Sequence, residues 1–219
     1  MILRRKLETE MDRVNTSILH MGTLVEEALY KALAALSRGD KLMAREVIEA
    51  DQKIDDEQAR IEEHVTRIIA MEQPVAQDLR LLISSIKLVA DIERIGDYAR
   101  HIAKAVQKIS RPGIEQVLEK ILTMGELGIG MLHDILSAFM DGDLELARSV
   151  ARQDDRMDEL HERVYNEVIH WMQKDAAHIP DGTGLLMLCR FLERLGDHVT
   201  NMCEWVVYAQ SGQHVELNA

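Results

Sequence analysis

Residues 88–104, LVADIERIGDYARHIAK, return one hundred positions later as LCRFLERLGDHVTNMCE at 188–204, with Glu93, Arg94, Gly96 and Asp97 recurring as Glu193, Arg194, Gly196 and Asp197. The repeat constrains the fold more than any other feature, because each copy also carries an apolar stripe at alternating spacings of four and three. The stripes are Leu88, Ile92, Ile95, Ala99, Ile102, Val106 and Leu188, Leu192, Leu195, Val199, Met202, Val206. Such spacing predicts a helix with one core-facing seam. Within each copy the Glu and Asp lie four apart and share a face. At 100° per residue that face is expected roughly opposite the seam, on the outside of the bundle. Like charges so spaced weaken a helix by about 0.2 to 0.5 kcal/mol, so their recurrence asks for a compensating ligand.

The duplication extends upstream at an offset of 103. Met21, Gly22 and Leu24 become Met124, Gly125 and Leu127, and Gly39, Asp40, Ala44, Arg45 and Val47 become Gly142, Asp143, Ala147, Arg148 and Val150. A first helix is predicted from about Arg4 to Ser37 on Met11, Val14, Ile18, Met21, Val25, Ala28, Ala32 and Ala35. Arg38, Gly39 and Asp40 stop it, glycine as the C-terminal cap and aspartate as the N-cap of the next helix. The second helix runs from Lys41 to Met71 on Val47, Ile54, Ile61 and Ile68, a heptad echoed by Val150, Met157, Val164 and Trp171. Gln73 and Pro74 end it, and a third helix spans Ala76 to Ile109. Arg111, Pro112 and Gly113 mark the domain boundary. The reading is all-α: two tandem three-helix bundles, six long helices in all, occupying 1–110 and 114–210, with 211–219 as a tail. Gln210 to Ala219 is expected to fray.

Composition agrees. Three prolines, twelve glycines and 4% aromatics in 219 residues leave little for a turn-rich β fold. A net charge of −12 argues against nucleic acid and against simple adhesion to an anionic membrane. The basic start, Met1 to Lys6, is followed by no hydrophobic signal region, and no stretch approaches eighteen apolar residues. The expectation is a cytoplasmic protein with no direct membrane insertion. Cys189 and Cys203, four turns apart on one helix, are too distant to bridge and read as reduced thiols.

The second helix carries its own pair, Asp51 and Asp55, repeated as Asp154 and Asp158. Antiparallel packing brings each pair near Glu93 and Asp97, or Glu193 and Asp197, giving four carboxylates per unit. That suits a multinuclear site for hard cations, or for bridged divalent or ferric metal: iron, zinc, manganese or magnesium, with identity open. Neutralising all eight acids would bring −12 to −4. The plain alternative is a solvated face paired with Arg94, Arg190, Arg194 and Lys53; fourfold recurrence favours a functional surface. Arg94 and Arg194 are also candidate partner contacts. Glu167 and His170 form a lone ExxH, where a ferritin-like centre needs two. His101, His133, His161 and His198 read as satisfied surface or boundary histidines. Gly22, Gly125, Gly128 and Gly130 suggest close helix packing, and no nucleophile with a base presents itself.

The segments QPVAQDLR at 73–80, ERIGDYARHI and LERLGDHVTN at 192–201 resemble the PhoU family, which accompanies the high-affinity phosphate transporter of bacteria. The similarity runs through essentially the whole chain. It implies six helices in two similar bundles and repression of the phosphate-starvation response when phosphate is plentiful. It further implies an adaptor, not an enzyme, peripheral to the inner membrane face and linking the transporter ATPase PstB to the sensor kinase PhoR. By position, the family's metal motifs fall on Asp51 and Asp55 with Glu93 and Asp97, and on Asp154 and Asp158 with Glu193 and Asp197. The second copy has no counterpart to QPVAQDLR.

Two rival classes remain, a metal-dependent phosphohydrolase and a metal-free helical scaffold. A homodimer is expected from a second apolar side of the third helix, Leu82, Ile83, Ile86 and Val89, which needs covering by the other bundle or another subunit.

Overall fold

The computed structural model describes residues 2–109 and 113–217. Helix α1 spans Ile2–Arg38, α2 Lys41–Ala50, α3 Gln52–Glu72 and α4 Ala76–Val106. The second repeat has α5 Glu115–Asp141, α6 Leu144–Ala151, α7 Asp154–Lys174, a 3₁₀ turn at Ala176–His178, and α8 Ile179–Ser211. The chain is all-α, six helical rods in a tandem duplication. Each second rod is broken, at Asp51 in one copy and at Arg152 and Gln153 in the other, where sequence periodicity predicts one uninterrupted helix. The breaks preserve the heptad, since Val47 and Ile54, and likewise Val150 and Met157, are buried on both sides. The third rod ends at Val106, one turn before the expected Ile109. Of the expected boundary, Gly113 is described, with φ +85°; Arg111 and Pro112 lie outside the described residues.

The stops between first and second rods act as the residues require. Gly39 and Gly142 adopt φ +69° and +65°, the left-handed cap that glycine tolerates. Asp40 accepts from the Leu42 and Met43 amides, and Asp143 from those of Glu145 and Leu146. Both caps sit at φ −82°, ψ 98°, so the duplication extends to local geometry.

The two bundles share one continuous core. Its stripes are the predicted seams, fully or almost fully buried from Leu88 to Val106 and from Leu188 to Val206. Helices α1 and α5 cross antiparallel: a methyl group at Gly22 would overlap Leu136, and one at Gly125 would overlap Leu33. These two contacts are exchanged by the 103-residue offset, which identifies an internal pseudo-two-fold axis through the crossing. Gly128 packs likewise against Leu195, whereas Gly130 meets nothing, so the packing role expected of it is not fulfilled.

Helices α4 and α8 also cross antiparallel, about the same axis. Tyr98 stacks on Phe191 at 5.8 Å, and the exchanged pair is His198 on Asp91 at 2.8 Å; Tyr98 Oη and His198 Nε2 meet at 3.2 Å on the axis. His198 is thus a satisfied boundary histidine, and His133 pairs with Glu26 at 3.2 Å. His101 stacks on Phe191 at 4.8 Å with its Nδ1 buried and unbonded. Leu82 and Val89 of α4 are buried, and α4 packs extensively on α8. Half of the second apolar side is therefore covered within the chain, while Ile83 and Ile86 remain half-buried, which weakens that reason for a dimer.

The tail does not fray as expected over its described part. His214 stacks on Tyr208 at 4.2 Å, and the Leu217 amide donates to Glu204 Oε1 at 2.8 Å. Residues 218 and 219 lie outside the described residues. Both thiols are fully buried, and burial pushes each up to about 12, so they are inert at neutral pH. No described helix is long and apolar enough to cross a membrane.

Candidate functional site: two unequal carboxylate clusters

In each repeat the break in the second rod brings an aspartate to the flank of the third. Asp51 stands at the α2–α3 joint and Asp154 opens α7. Glu93 and Asp97 on α4, and Glu193 and Asp197 on α8, face them. These acids are not on an outer face. The side chains of Glu93 and Asp97 are only 18% and 16% exposed, since α2 and α3 pack on α4 and bring Asp51 and Asp55 within reach of their charge. Helical periodicity shows which residues share a face but not which neighbour covers it. The outermost members are Asp158, which is exposed, and Asp55, half-buried.

The first cluster contains its own cation. Arg100, one turn beyond Asp97 on α4, bonds the Asp97 carboxylate and reaches Asp51 Oδ2 with Nε at 2.8 Å. Its side chain is 28% exposed. Arg94, largely exposed, lies 3.7 Å from Glu93 and 3.5 Å from Asp97. Burial raises the Asp51 carboxyl; Arg100 opposes that, while Asp55 and Asp97 add to it. Glu93 is raised by burial and by Asp97. The Asp97 bond holds the guanidinium firmly charged.

The second cluster has Thr200 where the first has Arg100, and Glu204 where the first has Lys104. Asp154 is only 6% exposed, and its Oδ1 is buried without a hydrogen bond, as is Thr200 Oγ1. Burial first, then Asp158 and Asp197, push Asp154 up to about 7; the nearby Thr200 hydroxyl eases its charge only in part. Glu193 is raised by burial and by Asp197, its Oε1 takes Arg190 at 2.5 Å, and its Oε2 is buried and unbonded. Asp154, Asp155, Asp158 and Asp197 line a cavity of about 490 Å³ with Arg148, Arg152 and Leu217 of the tail.

Glycine placement records the same asymmetry. A Cβ on Gly196 would collide with Asp154 Oδ1, so the missing side chain lets that carboxylate lie against the α8 backbone. The equivalent space at Gly96 is filled by Ile54, 3.2 Å from where a Cβ would stand, and by Val25. Asp51 has turned to Arg100 instead.

The structure places the expected acids of each repeat within reach of one another's charge, while Arg100 is not among the residues singled out from the sequence. Its signal was available, since aligning the copies places Arg100 on Thr200. Arg94 and Arg194 are both exposed. With Asp97 and Asp197 they lie within electrostatic reach of Tyr98, near the pseudo-two-fold axis. Lys120 ion-pairs with Glu167 of the ExxH, so that motif makes no second centre.

As a metal site the first cluster does not fit, because a guanidinium stands among its ligands. The second fits by donor chemistry and by its orphaned buried oxygens. Among the described residues no three Asp, Glu, His or Cys side chains converge tightly enough to hold an ion as they stand.

The PhoU domain matches residues 18–106 and 121–206, one match per repeat. A protein of Clostridium acetobutylicum called phosphate-specific transport system accessory protein PhoU homolog is 37% identical over 216 residues, 98% of this chain and 99% of its own. The Escherichia coli K12 accessory protein PhoU is 34% identical over 95% of this chain and 86% of its own. The crystal structure of the phosphate transport system regulatory protein PhoU from Streptococcus pneumoniae superposes with a TM-score of 0.89 at 36% identity, covering 95% of this chain and 99% of that one. PhoU from Pseudomonas aeruginosa gives 0.87 at 34% identity, covering 94% and 99%. With both repeats matched and sequence and fold alike over nearly the whole chain, this chain belongs to the PhoU family.

Proposed function

We propose that this chain is an accessory regulator of phosphate-specific transport that holds down the phosphate-starvation response when phosphate is plentiful, by connecting the transporter ATPase PstB to the sensor kinase PhoR. The observation that carries this reading is kinship with proteins named as accessories of that system, running through both repeats. The structure supplies a physical means. The exposed Arg94 and Arg194 beside the pseudo-two-fold axis, with exposed Asp158 at the rim of the second cluster, offer charges suited to a partner that is itself two-fold or to two partners at once. Work at the inner membrane face then comes through those partners.

The test is a strain lacking this protein, complemented with wild type, with Glu93→Ala/Asp97→Ala, or with Glu193→Ala/Asp197→Ala. Phosphate-starvation reporters and pull-downs from phosphate-replete membranes are read together. Loss of repression and of ATPase or kinase recovery in folded variants supports the reading, and association should weaken as salt rises, since exposed charges are screened over about 8 Å. Full repression and full recovery in both variants would overturn it.

One observation favours a second reading, a metal-dependent phosphohydrolase: the second cluster lines a cavity that also carries Arg148 and Arg152. Metal-dependent turnover of a phosphate monoester, lost in folded Asp197→Asn protein, would establish it.

A further inference from the structure

The family resemblance treats the two carboxylate clusters as equivalent metal sites, and the side chains here do not. We propose that the molecule takes one divalent cation per chain, in the second cluster, and that in the first cluster the Arg100 guanidinium stands where the cation would. The inference rests on the reading of these clusters as cation-binding and divides them.

Three independent features of the structure converge on it. Arg100 lies between Asp51 and Asp97 within the first cluster: it is hydrogen-bonded to Asp97, and its Nε stands 2.8 Å from Asp51 Oδ2 as an ion pair without hydrogen-bond alignment, a charge that cannot be given up at any working pH. A divalent ion entering there has to expel a bonded guanidinium and strand it beside its own positive charge. At the second cluster the equivalent residue is Thr200, which brings no charge. There Asp154 is more than nine-tenths buried, its Oδ1 makes no well-aligned hydrogen bond although the Thr200 hydroxyl stands near its carboxylate, and it lines the cavity with Asp158 and Asp197. A buried carboxylate oxygen with no donor loses its solvation without compensation, and it persists most readily where a ligand relieves it. Finally, Met157 and its counterpart Ile54 approach Gly196 and Gly96 alike, at 3.3 and 3.2 Å, but only at Gly196 does a carboxylate oxygen, that of Asp154, also lie where a Cβ would stand.

The donor set is carboxylate oxygen, with Asp154, Asp158, Glu193 and Asp197 in reach of one another's charge. That selects a hard, oxygen-preferring divalent ion and not one that prefers thiolate or imidazole. Arg190 already holds Glu193 Oε1, leaving the buried Glu193 Oε2 as the oxygen available to the ion. The exposed Arg148 and Arg152 also line the cavity, and among the described residues no ion pair ties either of them to these acids.

The experiment titrates the full chain, purified without a metal-binding tag and stripped with chelator, with Mn²⁺ alone, counting bound ion from the paramagnetic resonance of the free ion. Wild type is expected to bind one equivalent, Arg100→Thr two, and Thr200→Arg none. Because Thr200 is buried, Asp158→Asn serves as the second probe. Asp158 is exposed, and its loss is expected to weaken Mn²⁺ by roughly tenfold or more, while Asp55→Asn leaves the affinity unchanged. Helical dichroism and thermal melts verify folding of each variant. Two equal equivalents in wild type, or one equivalent persisting in folded Arg100→Thr, would overturn the division while leaving the clusters as cation sites. Loss of the ion with Asp55→Asn but not with Asp158→Asn would place it in the wrong cluster and also overturn it. No binding to wild type or to Arg100→Thr would overturn the cation reading itself.

Discussion

The two halves place the same four acids on the same scaffold, yet the guanidinium of the first, Arg100, stands between the rods beside Asp51 and Asp97, while that of the second, Arg190, reaches only Glu193 of the third rod. In the first, Asp51 and Asp97 are tied by Arg100. In the second, Asp154 is the most deeply buried of the acids and lacks a donor for Oδ1. Duplication preserved the backbone down to the cap dihedrals, so the divergence comes from side chains, Arg100 against Thr200 and Lys104 against Glu204. A repeat can therefore keep its fold while one copy turns a charged cleft into a structural joint and the other leaves it open to a ligand.

The sharpest way to break this contrast is to remove the internal cation. Arg100→Ala strands Asp51 and Asp97 together, and we expect it to cost about 2–3 kcal/mol in urea melts. Thr200→Val is expected to cost about 1 kcal/mol or less, since that hydroxyl has no well-formed bond. Equal losses would mean the halves are energetically alike.

The glycines give the next largest effect, with opposite signs. Alanine is a better helix former than glycine by about 1 kcal/mol. Gly96→Ala meets only side-chain methyls of Ile54 and Val25 that can yield by a few tenths of an ångström, so it is expected to be neutral or mildly stabilising. Gly196→Ala must push the Asp154 carboxylate aside, and is expected to be net destabilising by about 1 kcal/mol. Thermal melts of the two variants side by side test the difference.

Protonation separates the halves more gently. Asp154 is held at about 7 against an ordinary 3.8, so between these values the folded chain keeps a proton that the unfolded chain has lost. Its contribution to stability is highest below about pH 4, falls as pH rises through that window, and is flat above about 7. Metal-free protein is expected to melt several degrees higher at pH 5.5 than at pH 8. Asp154→Asn is expected to narrow that gap and to be more stable than wild type at pH 8, whereas Asp51→Asn, which weakens the tie to Arg100, is expected to be less stable. A wild-type-sized gap in Asp154→Asn would remove Asp154 as its source.

The smallest effect belongs to Arg94. It is 62% exposed, and Arg94→Ala is expected to change stability by less than about 0.5 kcal/mol. If it nonetheless weakens recovery of a partner, Arg94 acts at the surface and not in the fold.

By itself the sequence determined the helices, their seams and their stops. Those depend on local rules: the period of Leu88 to Val106, the left-handed freedom of Gly39 and Gly142, and the short side chains of Asp40 and Asp143 that reach back to amides. It also determined which acids would meet, because antiparallel rods joined by short turns leave few other neighbours. Tertiary structure decided what covers the face opposite each seam. That turned an expected outer acidic surface into clefts between α3 and α4 and between α7 and α8, and it buried Leu82 and Val89 on the second side of α4 within the chain while leaving Ile83 and Ile86 half-buried. It also decided that the second rods break, since Asp51 and Asp154 reach the third rods from those joints. Arg100 lay between the two: its identity could be read beside Thr200, but its bond to Asp51 depends on the distance between helices that only packing sets.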